Sequence, residues 1–390
     1  MSSPSGTLNQ DLERKTVVAL YRFCICAAIT LSLLLVAGIW HLGANSMIAC
    51  GFLGAVFIHA ASRPGWKRML FAALVGMAFV VVYVLLKGVV ATDAFARAMG
   101  MGAFWGIGSI VVLSFEMVIY GKRENLRFLS DALVLPVFSL VAGIGMQLTN
   151  GSTHASYDNL LYAFDTSLGI APGLRVISWY RAAPWIATAS GLVYAGLLIF
   201  PPLYHAWALY KVRTEKYNLM HVFVIAGICG FVFYQICPAM GPLYLFESRF
   251  PDHLPALVPL QAFSSTGVNN AMPSMHMTWA LLVWWSAWEL GPVALGIASA
   301  VVGFTGLATL GSGEHYLIDL IVAVPLAMAV NGIYQRSWSR AIAGVAMVVG
   351  WTVYLRMGLW TGVAATLHWM LIAVTLVVAL IFTRVTRSRL

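Results

Sequence analysis

Apolar residues run along this chain in blocks of about twenty, the length needed to cross a bilayer as a helix. Polar residues gather in the short stretches between the blocks. The pattern predicts about twelve spanning helices, near 17–40, 45–61, 69–91, 100–121, 129–149, 182–210, 218–240, 273–290, 292–312, 315–335, 341–357 and 364–383. Two connections are longer than the rest, 150–181 and 241–272, and both are expected to be loops. The second carries several prolines with Glu247, Arg249, Asp252 and His253. The spacing therefore predicts an all-α polytopic membrane protein.

Composition agrees with the pattern. Only 9% of the 390 residues are charged and 61% are hydrophobic, against about 25% charged in an average soluble domain. That excludes a disordered chain and a nucleic-acid-binding domain, despite a net charge of +9. The basic residues sit in short clusters at block ends, where positive charge orients membrane helices. With the N-terminus placed inside, sixteen of the 23 basic residues fall on the cytoplasmic side. Five fall outside (Arg97, Arg175, Arg181, Arg249, Arg356), and Arg22 and Lys87 lie within spans. Both termini are thus expected in the cytoplasm, with loops 150–181, 241–272 and 311–314 periplasmic or lumenal. In a bacterium the membrane would be the inner one. The polar first residues read as a cytoplasmic tail before a true span, not as a cleaved leader. Cys24, Cys26, Cys50, Cys229 and Cys237 lie in or at the end of apolar runs and read as free, packed thiols.

Ionisable groups within membrane segments are expensive, so each invites a functional reading. Most have simpler ones. His41, His59, His205, His221 and His368 are scattered singly, and Glu116 stands near Lys122 and Arg123. Gly100, Gly102 and Gly106 lie in an apolar helix with no strand before it, so close helix packing is expected there and not a dinucleotide loop. Two clusters remain. Asn270-Ala271-Met272-Pro273-Ser274-Met275-His276 reads as a helix start, with Asn270 as its cap and Ser274 and His276 in the first turn. Unpaired N–H groups there favour a phosphate. In Glu314-His315-Tyr316-Leu317-Ile318-Asp319, His315 and Asp319 stand four apart, on one helix face. A carboxylate on one ring nitrogen would leave the other free as a nucleophile. Either cluster could be structural alone. The charge alternation puts both on the same membrane face.

These residues resemble the type-2 phosphatidic acid phosphatase superfamily, in which Pro-Ser-x-His is followed by His-x3-Asp. The chain departs from the usual pattern. Ala308 and Thr309 stand where Ser-Arg precedes the second histidine, and Lys-x6-Arg-Pro is missing before Pro273. In its place runs Cys237-Pro238-Ala239-Met240-Gly241-Pro242-Leu243-Tyr244. That departure, the His-Tyr-x-x-Asp-Leu string at 315–320 and the stretch around Asp158, Asp165 and Gly169 resemble the inositol phosphorylceramide synthase and sphingomyelin synthase branch. The resemblance implies a six-helix catalytic core at 129–336, between a four-helix extension at 1–128 and a two-helix extension at 337–390. It implies transfer through a phosphohistidine: His315 as nucleophile, Asp319 as its partner and His276 as general acid and base. Ser274, Arg249, Asn270 and Tyr316 would bind substrate, and Glu314 would only cap or hydrogen-bond. No cofactor and no metal is implied. The partners would be a phospholipid donor, of phosphoinositol among other head groups, and a lipid or polyol hydroxyl. With water as acceptor the chain would be a lipid phosphate phosphatase. A transporter is the competing class, since an even number of spans with polar groups inside suits one too.

Overall fold

The computed structural model describes residues 46–87, 94–122, 124–149, 154–169, 172–212, 217–265 and 267–385. The expected span at 17–40, with Arg22, Cys24 and Cys26, and His41 after it, lies outside them. The described residues form an all-α polytopic membrane protein. Eight of their helices are long and apolar enough to cross a membrane, and nine if one bent pair counts as a single span. They fall into two compact units that divide between Leu140 and Val141.

The first unit holds α1 (Ser46–Ala61), α2 (Trp66–Lys87), α3 (Ala94–Ile119) and the first half of α4 (Asn125–Thr149). Helix α3 packs on both α1 and α2. Glycine makes this possible: a Cβ at Gly106 would fall on the Phe52 carbonyl, and one at Gly108 on that of Ala72. Small residues let helix backbones touch where no water drives them together. At one end of the unit, buried Glu116 meets Arg68 at 2.8 Å, Lys122 at 3.7 Å and the Asn125 amide at 2.9 Å. The expected pairing with Lys122 is there, and Arg68 makes a closer one.

The second unit begins within α4. The expected loop 150–181 is mostly ordered secondary structure: β1 (His154–Ser156), α5 (Asp158–Ser167) and α6 (Pro172–Ala182). These helices are short and mix polar with apolar residues, so they fall below any spanning window. The expected span 182–210 is a bent pair. Helix α7 (Pro184–Ala195) meets a second segment at 48°, formed by a 3-10 turn and α8 (Phe200–Val212). Pro201 and Pro202 sit in the first turn of α8, where a missing N–H is no loss, but they could not continue a helix from before it. Next come α9 (Leu219–Ile236), a short α10 (Pro242–Phe246), a 3-10 turn at Glu247–Arg249 and β2 (Phe263–Ser265). Strand β2 pairs antiparallel with β1, Ala155 opposite Ser264, and so ties the two long connections together.

The core then runs through α11 (Met275–Ala287), α12 (Pro292–Gly311) and α13 (Leu317–Tyr334), followed by α14 (Trp338–Arg356) and α15 (Ala365–Val385). Helix α13 is the most enclosed of the apolar helices, packed against α9, α11, α14 and α15. Helix α11 has 13 residues, about 20 Å at 1.5 Å per residue, short of the ~30 Å hydrocarbon core. Among the described residues, Cys50, Cys229 and Cys237 are not joined in disulfides.

Candidate active site

The starts of α11 and α13 meet in the second unit. Ser274 caps α11: its side chain accepts from the Met277 N–H at 3.4 Å, and its own N–H donates to the Asp319 carbonyl at 3.2 Å. The expected cap, Asn270, lies upstream of the helix instead. Its N–H donates to the Val268 carbonyl at 3.1 Å, in a turn that ends before Pro273. Pro273 disfavours helical geometry in the residue before it, and Ser274 is the first residue after it with a hydroxyl to offer the turn.

His315 precedes α13 and is not in its first turn, since Tyr316 is the residue that caps the helix. Its ring is 5% exposed. Nδ1 lies 2.9 Å from the Ala271 carbonyl oxygen and 3.4 Å from Asp319 Oδ2. A carbonyl only accepts, so Nδ1 carries the proton and Nε2 a lone pair. The expected carboxylate contact is present, but the main-chain carbonyl makes the closer one. Nε2 faces the Ser274 hydroxyl at 3.3 Å. Burial pushes the His315 imidazole down to about 4, against the opposing field of Glu314 and the Ala271 hydrogen bond, so the ring stays neutral near pH 7. Asp319 Oδ2 also accepts the Tyr316 N–H at 2.8 Å, while its fully buried Oδ1 has no partner.

His276, in the first turn of α11, stacks on the Tyr194 ring at 3.9 Å between centroids and meets Trp279 edge-on. The Tyr194 hydroxyl donates to the Glu314 carboxylate. This places His276 beside the residue preceding His315. Among the described residues no recorded contact of His276, Ser274, His315 or Asp319 is with a lysine or arginine. Arg249 lies exposed in the 3-10 turn with its guanidinium over Phe246 and its carbonyl accepting the His253 N–H at 2.9 Å, and neither contact is with His276 or His315. Tyr316 is 2% exposed and its hydroxyl donates to Asp158 at 2.7 Å, so it faces inward. No group of three His, Cys, Asp or Glu among the described residues could hold a metal ion.

Two aspartates complete the site, and neither belongs to the two clusters. Asp158 receives the Met240 and Gly241 N–H groups at 2.9 and 2.8 Å, with the Ser156 and Tyr316 hydroxyls. Asp165 receives the Leu317 N–H at 2.6 Å and that of Ile318 at 3.3 Å. It therefore occupies the amino end of α13, where a helix offers unpaired donors and a positive dipole end. Burial pushes the Asp165 carboxyl up to about 8, with the Asp319 charge adding to the rise. Their only sequence sign was the weak resemblance around 158–169. A cavity of about 20 Å³, bounded by His315, Tyr316 and Tyr162 among others, lies beside Asp165.

No curated protein and no solved structure matches the chain. Residues 159–333 match the family model described as PAP2 superfamily, a segment that contains Ser274, His276, His315 and Asp319. That segment is similar to the type-2 phosphatidic acid phosphatase superfamily, and the similarity indicates an enzyme of the phosphatase or phosphotransferase kind.

Proposed function

We propose that the protein moves a phospho-head group from a membrane phospholipid to a lipid or polyol hydroxyl, through a phosphohistidine on His315. The observation that carries this reading is the His315 ring itself. With Nδ1–H committed to the Ala271 carbonyl, Nε2 offers a lone pair beside Ser274. Nε2 attacks phosphorus, the bond to the leaving alkoxide breaks, and that oxygen takes a proton from His276. The imidazolium formed on His315 is stabilised by Asp319. In the second half, His276 removes the proton of the acceptor hydroxyl, its oxygen bonds phosphorus, and the P–N bond breaks. Ser274 and the first-turn N–H groups of α11 hold non-bridging oxygens.

The lack of a cationic partner among the described site residues supports a phosphodiester donor. A buried dianionic phosphomonoester without a positive partner would be costly, and a diester carries half that charge. Phosphoinositol is the head group that the branch resemblance favours.

The test uses the full chain in mixed micelles with radiolabelled phosphatidylinositol, phosphatidylglycerol or phosphatidylethanolamine and a ceramide acceptor. A new labelled phospholipid is expected. Release of the labelled phospho-head group into water, with no new labelled lipid, would show water to be the acceptor. His315→Ala should lose at least ~10³-fold in turnover, along with the acid-labile phosphoenzyme. Substantial activity in that variant would remove His315 as nucleophile.

A further inference from the structure

We propose that Asp158 is a positioning residue for this reaction, fixing the His315 ring by tying Tyr316 and the Met240–Gly241 main chain to a single buried carboxylate. The inference rests on the reading of His315 as nucleophile.

The segment 237–244 stands where the family usually carries a basic signature, and it is built as a strap of main-chain contacts. The Tyr157 N–H donates to the Pro238 carbonyl at 2.9 Å. The Ala239 carbonyl receives the Ala271 N–H at 2.8 Å. Met240 and Gly241 give their N–H groups to Asp158, and the Leu243 N–H reaches the Gly313 carbonyl at 2.8 Å. Gly241 has φ of +96°, and a Cβ there would strike the main chain of Glu314. The strap thus lies against the residue that precedes His315.

Two short paths run from Asp158 to the nucleophile. One goes through the Tyr316 hydroxyl to the residue that follows His315. The other goes through Met240 and Ala239 to Ala271, whose carbonyl holds the Nδ1 proton. Asp158 therefore references both the main chain at His315 and the acceptor that sets its tautomer. Asp158 is 0% exposed, and a carboxylate that deep in the protein is tolerable only with its lone pairs filled. Four donors fill them. An amide at this position keeps one acceptor oxygen and turns an NH2 toward a donor, so at least one leg of the strap is released.

The experiment compares Asp158→Asn, Tyr316→Phe and His315→Ala in the full chain, with the labelled phospholipid assay and rapid-quench measurement of phosphohistidine formation. Asp158→Asn is expected to lower kcat and the rate of phosphohistidine formation together by about 10- to 100-fold, as a displacement of about 1 Å in a reacting group does. KM should stay within about twofold and the thermal melt should remain cooperative, because bulk binding is untouched. Tyr316→Phe should give a smaller loss of the same kind, and the double variant should lose less than the product of the two. Full kcat in Asp158→Asn, beside an inactive His315→Ala, overturns the positioning role and leaves the nucleophile standing. A fall in kcat that only follows the folded fraction overturns it as well. If Asp158→Asn does not fold, Tyr316→Phe decides: a kcat loss at unchanged KM supports the role and unchanged kcat overturns it. An active His315→Ala removes the nucleophile and the positioning role together.

Discussion

A histidine can serve as a nucleophile when something holds the proton on its other nitrogen, and at His315, the proposed nucleophile, a main-chain carbonyl lies closer to that nitrogen than the carboxylate does. The pair His315 and Asp319 was legible because a spacing of four is a local signal. Asp158 and Asp165 were nearly invisible for the opposite reason. Each acts on residues about 150 positions away, where no periodicity reports contact. Asp165 also makes a prediction about pH. Its carboxyl has an ordinary value near 3.8 and is pushed up to about 8 in the fold by burial and by Asp319. Between those values the folded chain holds a proton that the unfolded chain has released. The stability it contributes is complete below the lower value and is lost as pH rises through the upper one. The melting temperature in detergent should therefore fall from about pH 4 to about pH 8 and level off above that. Asp165→Asn should flatten that slope, since an amide does not titrate.

At the scale of elements, the long apolar helices were readable and the pieces that build the site were not. Each expected span within the described residues coincides with a helix or, for 182–210, with a broken pair. The ends of α11 and α13 lie one to several residues from the expected ones, with Ser274 and Tyr316 as the caps. Helices α5 and α6 escaped notice because an amphipathic segment of about ten residues looks like a loop beside runs of twenty. The strap 237–244 is the element whose role depends most on one residue. Gly241→Ala puts a side chain at positive φ and against the Glu314 main chain. The strain should cost about 1–3 kcal/mol. The melt of this variant should shift down and its turnover should fall. A variant with wild-type melting and turnover would show that the strap yields freely.

For the whole molecule, low charge named the solvent before it named anything else. Multiple apolar helices fit an integral membrane protein, and the scarcity of charge made two polar clusters stand out. Which side they face is a matter of orientation, for which the basic-residue bias gives an expectation. Leu257, in the long connection before α11, is 90% exposed. Leu257→Cys should react with a membrane-impermeant maleimide in intact cells, while Ser339→Cys, near the start of α14, should react only after permeabilisation. The reverse pattern would invert the orientation.

The shortness of α11 has a chemical consequence. A helix about 10 Å shorter than the hydrocarbon core leaves its first turn sunk below the head-group plane when its other end reaches the opposite surface. His276 sits in that turn. On the proposed mechanism, a phosphoenzyme formed at such a depth would meet hydroxyls delivered by lipids at high local concentration and bulk water at low activity. The branching of the intermediate between the two acceptors would then be governed by how far one helix falls short of spanning.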